Sequence, residues 1–158
     1  VQARKRVLAA KDSWSAVAAG ELPRLAGLER KCQALLTADT DDSLFCLFQA
    51  LTDSSLGYCA TNALLCAVVC ELAGQKLGLD PLQRQTLRRA ALTMNIGMAR
   101  DQDAMARQGS ALSDWQRALV GEHAQRSVDI LRGLGADDDM FAKIKGRGGR
   151  GSERQAIG

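Results

Sequence analysis

The sequence predicts an all-α fold, and three observations carry that expectation. Only two prolines interrupt 158 residues, while Ala, Leu, Arg and Gln, which lose least on entering a helix, are plentiful. Apolar residues recur at spacings of three and four along most of the chain, and no run alternates with the period of a strand. β-branched residues are scattered and not gathered into short blocks.

Taken in order, the first helix is expected from Gln2 to Ala19, with Val7, Leu8, Trp14 and Val17 apolar and Gly20 as the stop. A second runs from about Glu21, with Pro23 tolerated in its first turn, through Leu25, Leu28, Cys32, Leu35 and Leu36. Asp41 or Asp42 is expected to cap a short third helix holding Leu44, Phe45, Leu47, Phe48 and Leu51, which ends at the turn-rich Thr52-Asp53-Ser54-Ser55. A strongly apolar helix follows, from about Leu56 to Leu77, closed by Gly78. Its middle, from Ala63 to Cys70, is apolar all round, as a central helix is.

Asp80-Pro81 restarts the chain, Asp as N-cap and Pro at the first helical position. That helix carries Leu87, Ala90, Ala91, Leu92 and Met94 and is expected to end between Gly97 and Arg100. A looser segment, Asp101 to Leu112, leads to Ser113, the N-cap of a helix with Trp115, Leu119, Val128, Ile130 and Leu131 that stops at Gly133 or Gly135. Asp137 to Asp139 is expected to cap a last short helix around Met140 to Ile144. Three regions result: N-terminal helices over 1–39, a helical core over 40–135, and a short helix with a Gly/Arg-rich mobile tail over 136–158.

The formal net charge is +3, and it is uneven. Lys143, Lys145, Arg147, Arg150 and Arg154 face only Glu153 in the tail, which leaves the rest of the chain slightly acidic. A basic body built for nucleic acid is therefore not expected. The Arg/Gly patch Gly146 to Gly151 lacks interleaved aromatics, so a solvated linker is the plain reading and an RNA contact the alternative. The start of the chain has no apolar h-region, and the apolar run Ala63 to Val69 is too short to span a bilayer, so a cytoplasmic protein without membrane attachment is expected. Cys32, Cys46, Cys59, Cys66 and Cys70 form no CxxC pair and read as reduced core thiols. The alternative is a zinc shared by Cys66 and Cys70 with Cys59 or Cys46.

From Asn62 onward the order of motifs resembles the HD superfamily of metal-dependent phosphohydrolases, within it the HD-GYP branch of bacterial signalling proteins. That branch has a helix starting His-Ser-x-Asn-Val-Ala and ending Gly-x-x-Leu-Gly-Leu; here Asn62-Ala63-Leu64-Leu65-Cys66-Ala67 precedes Gly74-Gln75-Lys76-Leu77-Gly78-Leu79. The family's Ala-Ala-Leu-Leu-His-Asp-Ile-Gly-Lys is matched by Ala90-Ala91-Leu92-Thr93-Met94-Asn95-Ile96-Gly97-Met98. Its later Leu-Thr, histidine and leucine correspond in spacing to Leu112-Ser113, His123 and Leu131. The resemblance covers roughly half the chain.

The resemblance implies an HD-like helical bundle with extra N-terminal helices, and a remnant pocket at Asn62, Met94, Asn95, Met98 and His123. In the family the first histidine and the His-Asp doublet hold metal; Asn62, Met94 and Asn95 stand there instead, and Met98 replaces the lysine. A carboxamide is a weak neutral donor and a thioether suits soft copper, so one imidazole is left to grip a hard ion. No catalytic residue, no metal ligand and no cofactor is therefore expected. Asn62 and Asn95 are expected to satisfy each other by hydrogen bonds, Met94 and Met98 to fill core, and His123, behind Glu122, to be a structural histidine. Asp101 and Asp103 read as a solvated loop, the alternative being a metal shared with Glu122 and His123.

The function expected is a non-catalytic signalling or protein-interaction module, binding a protein partner or another copy of itself, or a nucleotide weakly. The alternative is an active cyclic di-GMP phosphodiesterase with two divalent ions such as Fe or Mn.

Overall fold

The computed structural model describes residues 1–53 and 55–135, and the expected helix at Met140 to Ile144 and the Gly/Arg tail lie outside them. The fold is all-α: seven α-helices and two 3-10 turns, with no strand among the described residues.

α1 (Gln2–Ala18) buries Ala3, Val7, Ala10, Trp14 and Val17, successive steps of three or four that form one face. Gly20, at φ 106, takes the left-handed conformation that turns the chain. The second helix starts later than the sequence indicated. Pro23 belongs to a separate 3-10 turn, Leu22–Arg24, and α2 (Leu25–Ala38) begins behind it.

The cap of α3 (Thr40–Thr52) needs correction as well. Asp39, not Asp41 or Asp42, accepts the Asp42 N–H at 3.0 Å. Its extended backbone (φ −166, ψ 102) lets its carboxylate reach back, whereas Asp41 and Asp42 already lie in the first turn. There they face the positive end of the helix dipole.

α4 (Tyr58–Lys76) is central. Buried residues lie on nearly every side of it, and α1, α2, α3, α5 and α6 all pack against it. It is the one described helix long and apolar enough to cross a membrane by length and composition, and 56% of that stretch is buried within the fold. Its most extensive partner is α5 (Pro81–Thr93). Ala63 and Ala67 on α4 and Ala90 and Ala91 on α5 are all buried, small side chains that suit close packing. Asp80 and Gln83 form the expected restart as a reciprocal capping box, at 2.9 and 3.1 Å.

α5 ends at Thr93, earlier than the sequence indicated, and a 3-10 turn follows at Ile96–Met98. The segment expected to be loose is helical: α6 (Ala99–Arg107). None of its residues is fully buried, and Ala99 at its start packs against the core. Asp101 in its first turn and Arg107 in its last complement its dipole. Asp103 ties it down by accepting the Cys59 N–H at 2.7 Å, which caps α4 from a distant helix. α7 (Asp114–Gly133) starts at Ser113 with a second capping box, to Gln116.

One apolar cluster joins these parts, from Val7, Trp14 and Leu28 through Leu47, Leu64 and Val68 to Leu92, Ile96, Val128 and Leu131. Residues from both 1–39 and 40–135 therefore share a single core. Trp14 locks α1 to the end of α5 by donating its indole N–H to Leu92 O at 2.8 Å. On the outer side of α3, Phe45 and Phe48 remain 61% and 56% exposed.

Candidate functional site

Three of the five residues singled out in the sequence lie at one joint. Met94 and Asn95 link the end of α5 to the 3-10 turn that holds Met98, and all three are buried. α7 crosses this joint and brings His123 with it. The Ser127 hydroxyl of α7 makes the contact, against backbone groups of the joint. Ser127 Oγ lies 2.8 Å from both Met94 O and His123 O, and its one hydrogen serves these two carbonyls. The same oxygen accepts the Gly97 N–H at 3.0 Å. A Cβ on Gly97 would stand 2.7 Å from His123 O, 2.7 Å from Ser127 N and 2.8 Å from Arg126 Cβ. Only glycine permits so close an approach.

The side chains converge less than the backbones. The His123 ring turns to its own helix, with Nδ1 2.5 Å from Val120 O. Asn62, half-buried on α4, accepts the Cys66 thiol at 3.9 Å, one turn along the same helix. No hydrogen bond joins it to Asn95 among the described residues, so the expected mutual satisfaction of the two amides is not formed. Asp103 is engaged at the start of α4, away from Asp101, Glu122 and His123 as a set. None of the five cysteines is in a disulfide among the described residues; burial pushes the Cys32 and Cys59 thiols up to about 12, with the nearby Asp103 charge adding to the effect at Cys59. Among the described residues no three His, Cys, Asp or Glu side chains gather as a metal would need.

A second cluster escaped the sequence reading. Glu71, on the inward side of α4, is 5% exposed and meets two arginines of α5. Arg88 Nη1 bonds Glu71 Oε2, and Arg84 Nε stands 3.2 Å from Oε1. Gln75 Nε2 donates to Oε1 at 3.0 Å. Burial works to raise the Glu71 carboxyl, but the Gln75 and Arg88 hydrogen bonds and the Arg88 and Arg84 charges outweigh it and hold it below its usual value. Beside it, Arg89 Nε reaches the buried Glu29 of α2 at 3.1 Å.

Two signals in the sequence point to this cluster. Glu71 interrupts the apolar run Val68-Val69-Cys70, and Arg84 and Arg88 are one turn apart, so both reach the same side of α5. Gly74 lets the Arg84 stem lie across α4, since a Cβ there would stand 3.0 Å from Arg84 Cγ.

Surface cavities lie away from the joint. One of about 290 Å³ sits between α1 and α3, lined by Arg4, Leu8 and Gln49. Another of about 390 Å³ is lined by Tyr58, Asp103 and Arg107. A third, about 410 Å³, opens beside the arginine cluster. No protein-family model, curated protein or solved structure matches the chain.

Proposed function

We propose that this chain is a degenerate HD-type domain, similar to the HD-GYP branch, that acts in signalling by binding a protein partner and not by hydrolysis. The observation that carries this reading is the joint of Met94, Asn95 and Gly97 with α7. Where the superfamily keeps a His-Asp doublet, this chain has a thioether and a neutral amide, both buried. The histidine opposite directs its ring to its own backbone. Such a donor set has no charge to offset a hard cation and no third strong ligand to fix one. A metal-activated water, the nucleophile of this class of hydrolase, needs both.

Three features support the superfamily resemblance. Asn62, the Met94-Asn95 doublet and His123 fall on three separate elements of the bundle, α4, the end of α5 and α7. The doublet sits at a helix terminus, and Gly97, the glycine of the motif, is the residue on which α7 rests.

Metal analysis of the purified protein, followed by a cyclic dinucleotide hydrolysis assay with added manganese or iron, tests the proposal. The expected result is sub-stoichiometric metal and no turnover. Stoichiometric metal with turnover that His123→Ala abolishes would overturn it.

A further inference from the structure

We propose that the cavity between α2, α4 and the first half of α5 binds a small ligand through an oxyanion group, a phosphate or a carboxylate, held by Arg84 and Arg88. The cavity holds about 410 Å³, and polar side chains dominate its wall: Gln33, Glu71, Arg84, Gln85 and Arg88.

Charge is the first argument. Three guanidinium groups (Arg84, Arg88, Arg89) share two carboxylates (Glu29, Glu71), so the cluster keeps an uncompensated positive charge. Arg88, the buried one, is matched by Glu71; the excess charge falls on Arg84 and Arg89, whose side chains are 27% and 29% exposed, and an entering oxyanion would balance it.

The second argument is an unfilled donor. Arg88 is only 6% exposed, and its Nε has no hydrogen-bond partner among the described residues. Arg84 Nε is paired with Glu71 by charge at 3.2 Å but lacks hydrogen-bond geometry. A guanidinium offers its N–H groups as a planar fork that fits two oxygens of one phosphate or carboxylate. Arg84 is the more exposed partner: its side chain is 27% exposed, against 7% for Arg88, and its Nη1 donates to Leu79 O at 3.2 Å. Gln33 and Gln85 supply carboxamides for the rest of the molecule.

Isothermal titration of the full chain with inorganic phosphate, and separately with acetate, at constant ionic strength tests the site. Saturable one-to-one binding of either anion supports it, and the tighter of the two names the headgroup. Arg84→Gln is expected to weaken that binding by about tenfold or more. Gly74→Ala removes no charge but displaces the Arg84 stem, and is expected to weaken it as well. Glu71→Gln is expected to tighten binding, because the amide no longer competes for both guanidinium groups; a purely structural role for the cluster predicts no gain. Arg24→Gln, at an arginine 62% exposed on another face, is expected to change nothing. Absence of saturable binding for both anions would refute the site, as would equal affinity in wild type and Arg84→Gln.

Discussion

Gly97→Ala puts the joint between the 3-10 turn and α7 under direct stress. Gly97 has no left-handed φ, so the backbone itself accepts alanine. Were nothing nearby, the substitution would stabilise the protein by about 0.4–1 kcal/mol through the unfolded chain. The surroundings reverse the sign. The added methyl would lie 2.7 Å from His123 O, 2.7 Å from Ser127 N and 2.8 Å from Arg126 Cβ. None of these atoms is the end of a flexible side chain, so α7 and the turn must part.

Overpacking of this kind costs about 1–3 kcal/mol. Parting the elements also stretches the Gly97 to Ser127 bond of 3.0 Å and the Ser127 to Met94 bond of 2.8 Å, about 1 kcal/mol each. A net loss of about 3 kcal/mol follows, which lowers the melting midpoint of a chain this size by about 10 °C. Thermal unfolding followed by far-ultraviolet circular dichroism reads it. A midpoint equal to or above that of the wild type would show that the close approach is wrong, and with it the placement of α7 against the doublet.

The other predictions concern the buried charges and thiols. Arg88→Met removes the more buried of the two arginines on Glu71, leaving Arg84 and Gln75, and is expected to cost about 3 kcal/mol; Glu71→Leu with Arg88→Met together is expected to cost less than the first alone. Denaturant titration of the two variants decides this, and strict additivity would count against a coupled pair. Because Glu71 is held below its usual value of 4.5, its contribution is present above that pH and is lost as pH falls through the lower folded value. Acid unfolding of wild type should therefore be steeper below that pH than that of Glu71→Gln. Cys32 and Cys59 move the other way: unfolded thiols ionise near 9.0 and the folded ones near 12, so stability is present below pH 9.0 and lost as pH rises toward 12. Native-state alkylation is expected to label Cys46, Cys66 and Cys70 and to spare these two, and rapid labelling of Cys32 would contradict its burial.

The helices that bury an apolar face were legible in the sequence, because burial writes a period of three and four into the chain. α1, α5 and α7 are of this kind, and the caps at Asp80 and Ser113 fixed two of their starts; α4 was legible instead from its long apolar stretch. α6 was not legible for the complementary reason. It buries no residue, so its sequence reads as a polar loop, and what holds it is Asp103 at the start of a helix 44 residues earlier. The Asp39 cap was missed because three acidic residues within four positions are equivalent by composition. Backbone φ and ψ alone separate them. At the candidate joint, Gly97 could be read only as a motif letter; its contact with His123 O depends on where α7 crosses, which no local pattern encodes.

The charged cluster and the joint act on the same helix, and this bears on the proposed function. α5 is fixed near its start by Arg84, Arg88 and Arg89 on Glu71 and Glu29. At its end the Trp14 indole holds Leu92 O, and Ser127 holds Met94 O. In a metal-dependent hydrolase the doublet carries charge that the bound ion offsets, and the ion itself ties the helices together. Here the doublet is neutral, so its burial leaves no repulsion for an ion to relieve. Hydrogen bonds and ion pairs supply the tie on both sides of it. These bonds fix the position of Met94-Asn95 without calling on an ion, and the proposed role, recognition without hydrolysis, calls for no more than that.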